Sequence, residues 1–281
     1  MILLCTLSSC SADSEIADVV ATTKPVYDFT VYLCAGTDIR VCRLISENTS
    51  CLHDYTLQVN QMRSIESAQL VVINGAGLEE FLHDALQNAN AILDSSEGIE
   101  LRCPEHTHDP HEDHHHESDP HIWLSTENAA KMAQNICAGL SSQFPQYKDT
   151  FQKNLAELHV RFDELHAYAE ESLKDLSCRD MITFHDGFAY FAEEWDLNIL
   201  HSLEEESGSE ASAMELKELI QLVRYHKLPA IFTEENGSTS AAKIVANETN
   251  ILICNLHMGM SDLDYFEVMY RNIDAVKEAL E

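Results

Sequence analysis

Apolar and polar positions follow two alternating periods along most of the chain. Short apolar runs, typical of buried parallel strands, are followed by segments in which apolar residues recur every three or four positions, as in amphipathic helices. The apolar runs predict strands at residues 19–22, 39–45, 69–74, 181–184, 197–203, 230–233 and 251–256. The longer period predicts helices at residues 25–34, 60–68, 78–88, 187–195, 214–225, 240–248 and 264–280, and another helix that Ser125 would cap. This order predicts an α/β fold with mainly parallel sheets flanked by helices.

One helical stretch is longer than the others and divides the pattern in two. From Tyr147 to Leu173 the apolar side chains follow one another at steps of three, four and five, which keeps them on one stripe. A helix of about 30 residues spans roughly 45 Å, long enough to join two lobes. We therefore predict an N-terminal α/β lobe at residues 16–143, a connecting helix at 144–176 and a C-terminal α/β lobe at 177–281.

The first residues form a short apolar run that ends at Cys10. This run resembles the lipobox of bacterial lipoproteins, although no Lys or Arg precedes Lys24 to supply the usual basic region. An ordinary N-terminus with a chance cysteine is the alternative. We interpret residues 1–15 as a signal, lipobox and tether, with lipid attached at Cys10, which predicts an extracytoplasmic protein at the cell surface or in the periplasm.

The charge of the chain limits its partners. There are 48 acidic and 17 basic side chains among 281 residues, which gives a formal net charge of −31. Such a surface repels phosphate backbones, so we predict no nucleic-acid partner, whereas it suits cations and solubility equally well. No run of about 20 apolar residues predicts a membrane-spanning helix.

A strand-to-helix connection contains Gly75-Ala76-Gly77, which partly matches a dinucleotide-binding fingerprint. The third glycine of that fingerprint is replaced by Glu80. We therefore predict a tight turn here and no nucleotide site.

Histidines are concentrated in one segment. Seven of the fifteen lie between residues 106 and 121, and residues 104–120 have no apolar periodicity, which predicts a mobile loop. The HExxH match at residues 111–115 lacks the apolar helix face that this zinc-protease motif requires, so we reject it. We interpret six of these residues as weak, interchangeable metal ligands: His106, His108, His111, His114, His115 and His116.

Four other histidines lie at the ends of predicted strands or loops, where α/β folds place ligand sites. They are His53, His121, His185 and His257, two in each predicted lobe. Each alone is more often a surface or core residue, but four at comparable positions predict a metal site between the lobes.

Several motifs occur in a fixed order and together resemble a known family. They are His-Asp-Tyr at 53–55, an apolar strand with Asn-Gly-Ala-Gly-Leu-Glu at 68–79, the His-rich loop, Asp-Pro-His-Ile-Trp at 119–123, Phe-His-Asp-Gly at 184–187, Phe-Thr-Glu-Glu at 232–235 and Ala-Asn-Glu-Thr at 246–249. The set resembles the metal-binding (cluster A-I) family of ABC-transporter solute-binding proteins, its zinc-specific members in particular, over roughly residues 17–281. The resemblance implies two α/β lobes joined by a rigid helix, with a metal in the cleft between them.

By this resemblance, the first three ligands fall on His53, His121 and His185. Where many relatives read Leu-Asp-Pro, this chain reads Leu256-His257-Met258, so His257 is the candidate for the fourth ligand. Four imidazoles suit tetrahedral Zn²⁺, whereas Mn²⁺ prefers oxygen ligands; copper and nickel also accept imidazole, so selectivity against them stays open.

A shell of four histidines is closed and leaves no position for an activated water, so we predict a binding protein and not an enzyme. The resemblance implies capture of Zn²⁺ and its delivery to an ABC permease with its ATPase, by a monomer. Two alternatives remain: a zinc-dependent hydrolase with three histidines and a water, or a metal-buffering or adhesin-like surface protein. Glu234 and Glu235 either line the cleft or belong to a solvated loop.

Overall fold

The computed structural model describes residues 17–45, 55–102, 118–203, 211–235 and 237–281. In these ranges the strands form two four-stranded sheets, in the orders β2-β1-β3-β4 and β6-β5-β7-β8. Every pair of neighbouring strands is parallel. The strands are β1 (Val19–Ala21), β2 (Val41–Arg43), β3 (Leu70–Ile73), β4 (Ile92–Asp94), β5 (Asp180–Thr183), β6 (Asn198–Ser202), β7 (Ala230–Glu234) and β8 (Leu252–Leu256).

The helices lie between the strands in sequence and flank the sheets. Over the described ranges they are α1 (Lys24–Cys34), α2 (Val59–Ser67), α3 (His83–Leu86), α4 (Thr126–Gln143), α5 (Lys148–Leu173), α6 (Ala189–Glu194), α7 (Ala213–His226), α8 (Ser240–Thr249) and α9 (Tyr265–Leu280). The predicted α/β class with parallel sheets is confirmed. None of the described helices combines the length and apolarity that crossing a membrane requires.

Helix α5 is the predicted connection between the two lobes, and its apolar stripe is buried. Its buried residues are Phe151, Leu158, Phe162, Leu165, Ala169 and Leu173. One cluster of buried side chains continues from Val19 and Val72 of the first sheet, past Phe162, to Met181 and Phe232 of the second. Because the two lobes share this core, separating them would expose apolar surface along the whole of α5.

A buried ion pair adds a polar connection between the lobes. The Lys24 ammonium lies 2.6 Å from the Asp28 carboxylate and also donates to the Leu263 carbonyl at 2.7 Å. Asp28 in turn accepts from the backbone N–H of Tyr265 at 3.0 Å. Burial raises the pKa of Asp28, while Lys24 lowers it. The first turn of α1 is thereby fixed to the start of α9.

Two local predictions differ from the structure. The helix expected at residues 78–88 is a 3₁₀ turn at Glu80–Leu82 followed by the four-residue α3. Strand β4 was not predicted, because a three-residue edge strand with Ile92 47% exposed carries no continuous apolar run. The capping prediction is confirmed, since Ser125 Oγ accepts from the backbone N–H of Asn128 at 3.2 Å.

Candidate metal centre

Two of the predicted ligands meet where the lobes face each other. His121 lies just before the 3₁₀ turn Ile122–Leu124, and His185 lies just after β5. Their Nε2 atoms are 3.5 Å apart, and their ring centroids are 5.2 Å apart with the planes nearly perpendicular. Two imidazole nitrogens that converge in this way can both contact one small cation.

The Nδ1 atoms of His121, His185 and His257 each face a carboxylate. His121 Nδ1 lies 2.8 Å from Asp119, and His257 Nδ1 lies 2.7 Å from Glu235. His185 Nδ1 lies 3.7 Å from Glu234. A carboxylate that accepts from Nδ1–H fixes the ring and leaves the Nε2 lone pair for a metal, as in many zinc sites.

The backbone that carries His121 is held from both lobes. From the first lobe, Asn74 Nδ2 donates to the Pro120 carbonyl at 3.0 Å. From the second lobe, the Tyr190 hydroxyl donates to the Asp119 carbonyl at 3.0 Å. Asp119 also accepts from the backbone N–H of His121 at 2.9 Å, so its one carboxylate fixes both the backbone and the ring of that residue.

The segment that carries His121 contacts the predicted tight turn of the first lobe at Gly75-Ala76-Gly77. Gly75, Ala76 and Gly77 all have positive φ, at 82°, 55° and 88°. A Cβ at Gly75 would lie 1.9 Å from Asp94 Oδ1, so only glycine fits there. The interpretation as a turn is confirmed, and the Ala76 carbonyl accepts from Ser118 Oγ at 3.2 Å.

A buried carboxylate holds this turn in place. Glu79 accepts from the Thr22 hydroxyl at 2.6 Å and from the backbone N–H groups of Asn74 at 2.7 Å and Gly75 at 3.0 Å. Burial raises the pKa of Glu79 to about 7, although these three donors pull it down. These bonds also explain why no helix begins at residue 78: the Glu79 side chain folds back onto the end of β3.

Two further hydrogen bonds connect the His121 segment to the His257 segment. The Trp123 indole N–H donates to the Met258 carbonyl at 2.7 Å. The Tyr265 hydroxyl donates to the Trp123 carbonyl at 2.9 Å. The Trp123 side chain thus joins the His121 segment to the main chain after His257, and Tyr265 of α9 holds the Trp123 main chain.

Glu234 and Glu235 differ in their surroundings: Glu234 ends β7 and is buried, whereas Glu235 lies in the turn that follows it. They border a cavity of about 10 Å³ beside His257, about the volume of one water-sized sphere. The Glu235 side chain is 44% exposed, whereas that of Glu234 is 5% exposed. Burial raises the pKa of Glu234 to about 7, against the opposing effect of His121.

The structure therefore places three of the four predicted ligands, His121, His185 and His257, at neighbouring strand and loop ends. The part of the chain that the structure describes contains no ready-made group of three or more metal-ligating side chains. His53 lies outside the described residues, as do the six histidines of the loop and Cys10 with residues 1–15.

Sequence reasoning did not identify Asp119 and Tyr190, which hold His121 in place. Asp119 had a detectable signal, because a carboxylate two residues before a histidine can reach its ring. Tyr190 had none, because its contact with Asp119 joins residues 71 positions apart.

Two parallel sheets on one connecting helix, with imidazoles and carboxylates at the facing ends, define a two-lobed binding protein of the solute-binding class. Residues 19–279 match the family model described as zinc-uptake complex component A, periplasmic. The chain belongs to this family.

Individual relatives agree with this assignment. The zinc-binding lipoprotein AdcA of Streptococcus pneumoniae is 30% identical over 96% of this chain, which spans 57% of that protein's length. The high-affinity zinc uptake system protein ZnuA of Bacillus subtilis is 29% identical, over 96% of this chain and 90% of that one. A crystal structure of ZnuA shares 26% identity with a TM-score of 0.83, over 95% of this chain and all of that one.

Proposed function

We propose that this protein is an extracytoplasmic solute-binding protein that captures Zn²⁺ between its two lobes and delivers it to an ABC permease with its ATPase. The proposed ligands are His53, His121, His185 and His257. The observation that carries the proposal is the convergence of the His121 and His185 Nε2 atoms at 3.5 Å, while carboxylates face the Nδ1 atoms. Asp119 lies within hydrogen-bond distance of His121 Nδ1 and fixes that ring, whose Nε2 lone pair then points toward His185.

The donor set favours zinc. Imidazole nitrogens suit a borderline-soft ion without geometric preference, whereas Mn²⁺ favours oxygen ligands. The zinc-binding names of the relatives support the same cargo. The family does not favour the hydrolase or the adhesin-like alternative, and the proposed role is binding without covalent chemistry.

The rest of the proposal concerns organisation and location. Residues 16–143 and 177–281 would form the two lobes on either side of a connecting segment at 144–176, in a monomer. Lipid at Cys10 would tether the protein outside the cytoplasm, and the word lipoprotein in the name of a relative supports this. The permease partner is supported by the family's description as one component of a zinc-uptake complex.

Zinc titration by calorimetry, with a competing chelator, tests the ligand assignment. We expect His121→Ala and His185→Ala each to weaken tight zinc binding by at least roughly 10- to 100-fold. Loss of a residue that merely hydrogen-bonds a metal ligand already costs that much. His83→Ala is the matched control, because His83 begins α3 on the surface and, among the described residues, its side chain hydrogen-bonds to Gln87 alone, at 3.1 Å. Tight binding that survives in both His121→Ala and His185→Ala would refute the proposal.

A further inference from the structure

Glu234 stands apart from the other carboxylates at the proposed metal site. It is the last residue of β7 and is 5% exposed. Asp119 and Glu235 contact ring nitrogens at 2.8 Å and 2.7 Å, but the Glu234 carboxylate stays 3.7 Å from His185 Nδ1. From the described residues, its carboxylate oxygens accept no hydrogen bond, and that ring nitrogen is its one ion-pair contact.

An ionised carboxylate in these surroundings is costly to the fold. Buried charges are normally paired with an opposite charge, supplied with several hydrogen-bond donors or bound to a metal. Neutral imidazoles, which are the form that binds a metal, supply no permanent positive charge to Glu234. Within the described ranges, the charge of Glu234 is therefore countered by histidine rings alone, through the contact with His185 and the Coulombic effect of His121.

A divalent cation would reverse this balance. Imidazole ligands carry no charge, so the charge of a bound dication would be balanced by the carboxylates behind the rings, which are Asp119 at His121, Glu235 at His257 and Glu234 at His185. Asp119 already accepts from the His121 ring and backbone, whereas Glu234 has no such bond among the described residues. Interactions between charges are strong where water is excluded, and a carboxylate at this depth is screened little by salt. Glu235 is a weaker counter-charge, because its side chain is 44% exposed.

We propose that Glu234 is the counter-charge of the metal site: its buried carboxylate destabilises the metal-free protein and stabilises the bound dication. This inference rests on the proposed function, because it requires a metal at His121 and His185. It adds a charge-balancing residue to that site. Glu234 acts through its charge beside His185 and is not proposed as a metal ligand.

The test compares Glu234→Gln with Glu235→Gln in the full chain, at pH 8. Each change removes one negative charge with almost no change in shape. We expect Glu234→Gln to weaken zinc binding about 10- to 100-fold, and Glu235→Gln to weaken it by a smaller factor. Glu157→Gln is the surface control, because among the described residues Glu157 forms an exposed ion pair with Lys153 alone, at 3.4 Å. The zinc affinity of this variant should equal that of the wild type.

The thermal unfolding midpoint of the metal-free proteins separates a counter-charge from a structural residue. We expect the midpoint of Glu234→Gln to exceed that of the wild type while its zinc affinity falls. Unchanged zinc affinity in Glu234→Gln would overturn the inference, and so would a lower affinity together with an unchanged or lower midpoint. If His185→Ala loses tight binding while Glu234→Gln retains it, this inference fails and the proposed function stands.

Discussion

Two glutamates have the same 5% exposure: Glu79, in the turn that follows β3 of the first sheet, and Glu234, the last residue of β7 in the second. Burial raises the pKa of each to about 7. Glu79 accepts three hydrogen bonds from Thr22, Asn74 and Gly75. Glu234, among the described residues, accepts none with its side chain and faces His185 at 3.7 Å. Three hydrogen-bond donors therefore stabilise the Glu79 carboxylate, whereas no described donor binds the equally buried Glu234 carboxylate.

The difference shows two uses of a buried carboxylate. Glu79 fixes the turn from which Asn74 reaches the Pro120 carbonyl, so it contributes to the position of His121 from a distance. Glu234 lies directly beside His185, where a bound cation would meet its charge. Proteins commonly give up stability at functional sites, and a buried acid without donors is one form of that cost.

The largest predicted effect is a difference in stability between Glu79→Ala and Glu234→Ala. Both changes remove the same atoms, but Glu79→Ala leaves three buried donors without an acceptor, each worth about 1–3 kcal/mol. We expect Glu79→Ala to lower the free energy of unfolding by about 3–5 kcal/mol. We expect Glu234→Ala to lower it by much less.

Urea denaturation of the metal-free proteins at one pH measures both values. Equal losses in the two variants would mean that the hydrogen bonds of Glu79 do not stabilise the fold more than the surroundings of Glu234 do. The proposed difference between the two glutamates would then be wrong.

A smaller effect is predicted for Tyr190→Phe, which tests whether the second lobe helps to place His121. The change removes the hydroxyl that donates to the Asp119 carbonyl and keeps the ring. We expect zinc binding to weaken about threefold to tenfold, the equivalent of one ordinary hydrogen bond.

Tyr168→Phe provides the matched control for this experiment. It removes a hydroxyl contact between Tyr168 and Asp274 on the surface, away from the histidines, and should leave zinc affinity unchanged. If Tyr190→Phe also binds zinc like the wild type, the Tyr190 hydroxyl does not contribute to the position of His121.

The sequence predicted the fold well where the periodicity is strong. The apolar runs of β3 and β7 and the stripe of α5 are local signals, and each element is present. The helix at residues 78–88 was predicted wrongly because the Glu79 side chain binds Thr22, 57 positions earlier, and no local pattern reports such a contact.

The site was predictable in part for similar reasons. His185 was singled out because it follows a predicted strand, and His121 because it lies in Asp-Pro-His-Ile-Trp, at the junction of the His-rich loop and the next predicted element. The role of Glu234 could not be read from the sequence, because Phe-Thr-Glu-Glu gives two adjacent acids and only the fold decides which is buried. Burial, and with it the energetic cost of the charge, is a tertiary property.

The smallest predicted effect concerns the His-rich segment that precedes His121 and lies outside the described residues. The backbone N–H of Asp119 donates to the Arg102 carbonyl at 2.8 Å, and the N–H of Arg102 donates to the Tyr190 hydroxyl at 2.9 Å. The two chain ends that flank the segment are therefore fixed to each other and to the second lobe. Deleting residues 105–117 removes six histidines but leaves three residues to close the gap between Arg102 and Asp119.

We expect this deletion to change the affinity of the tight zinc site by less than about threefold, since loop closure depends only weakly on loop length. It should also reduce the number of weak zinc ions bound at saturation. Calorimetric titration of the deletion variant beside His121→Ala measures both quantities. If the two variants lost tight binding equally, the ligands would have to be sought within the deleted segment, and the distinction between His121 and its six neighbours would be wrong.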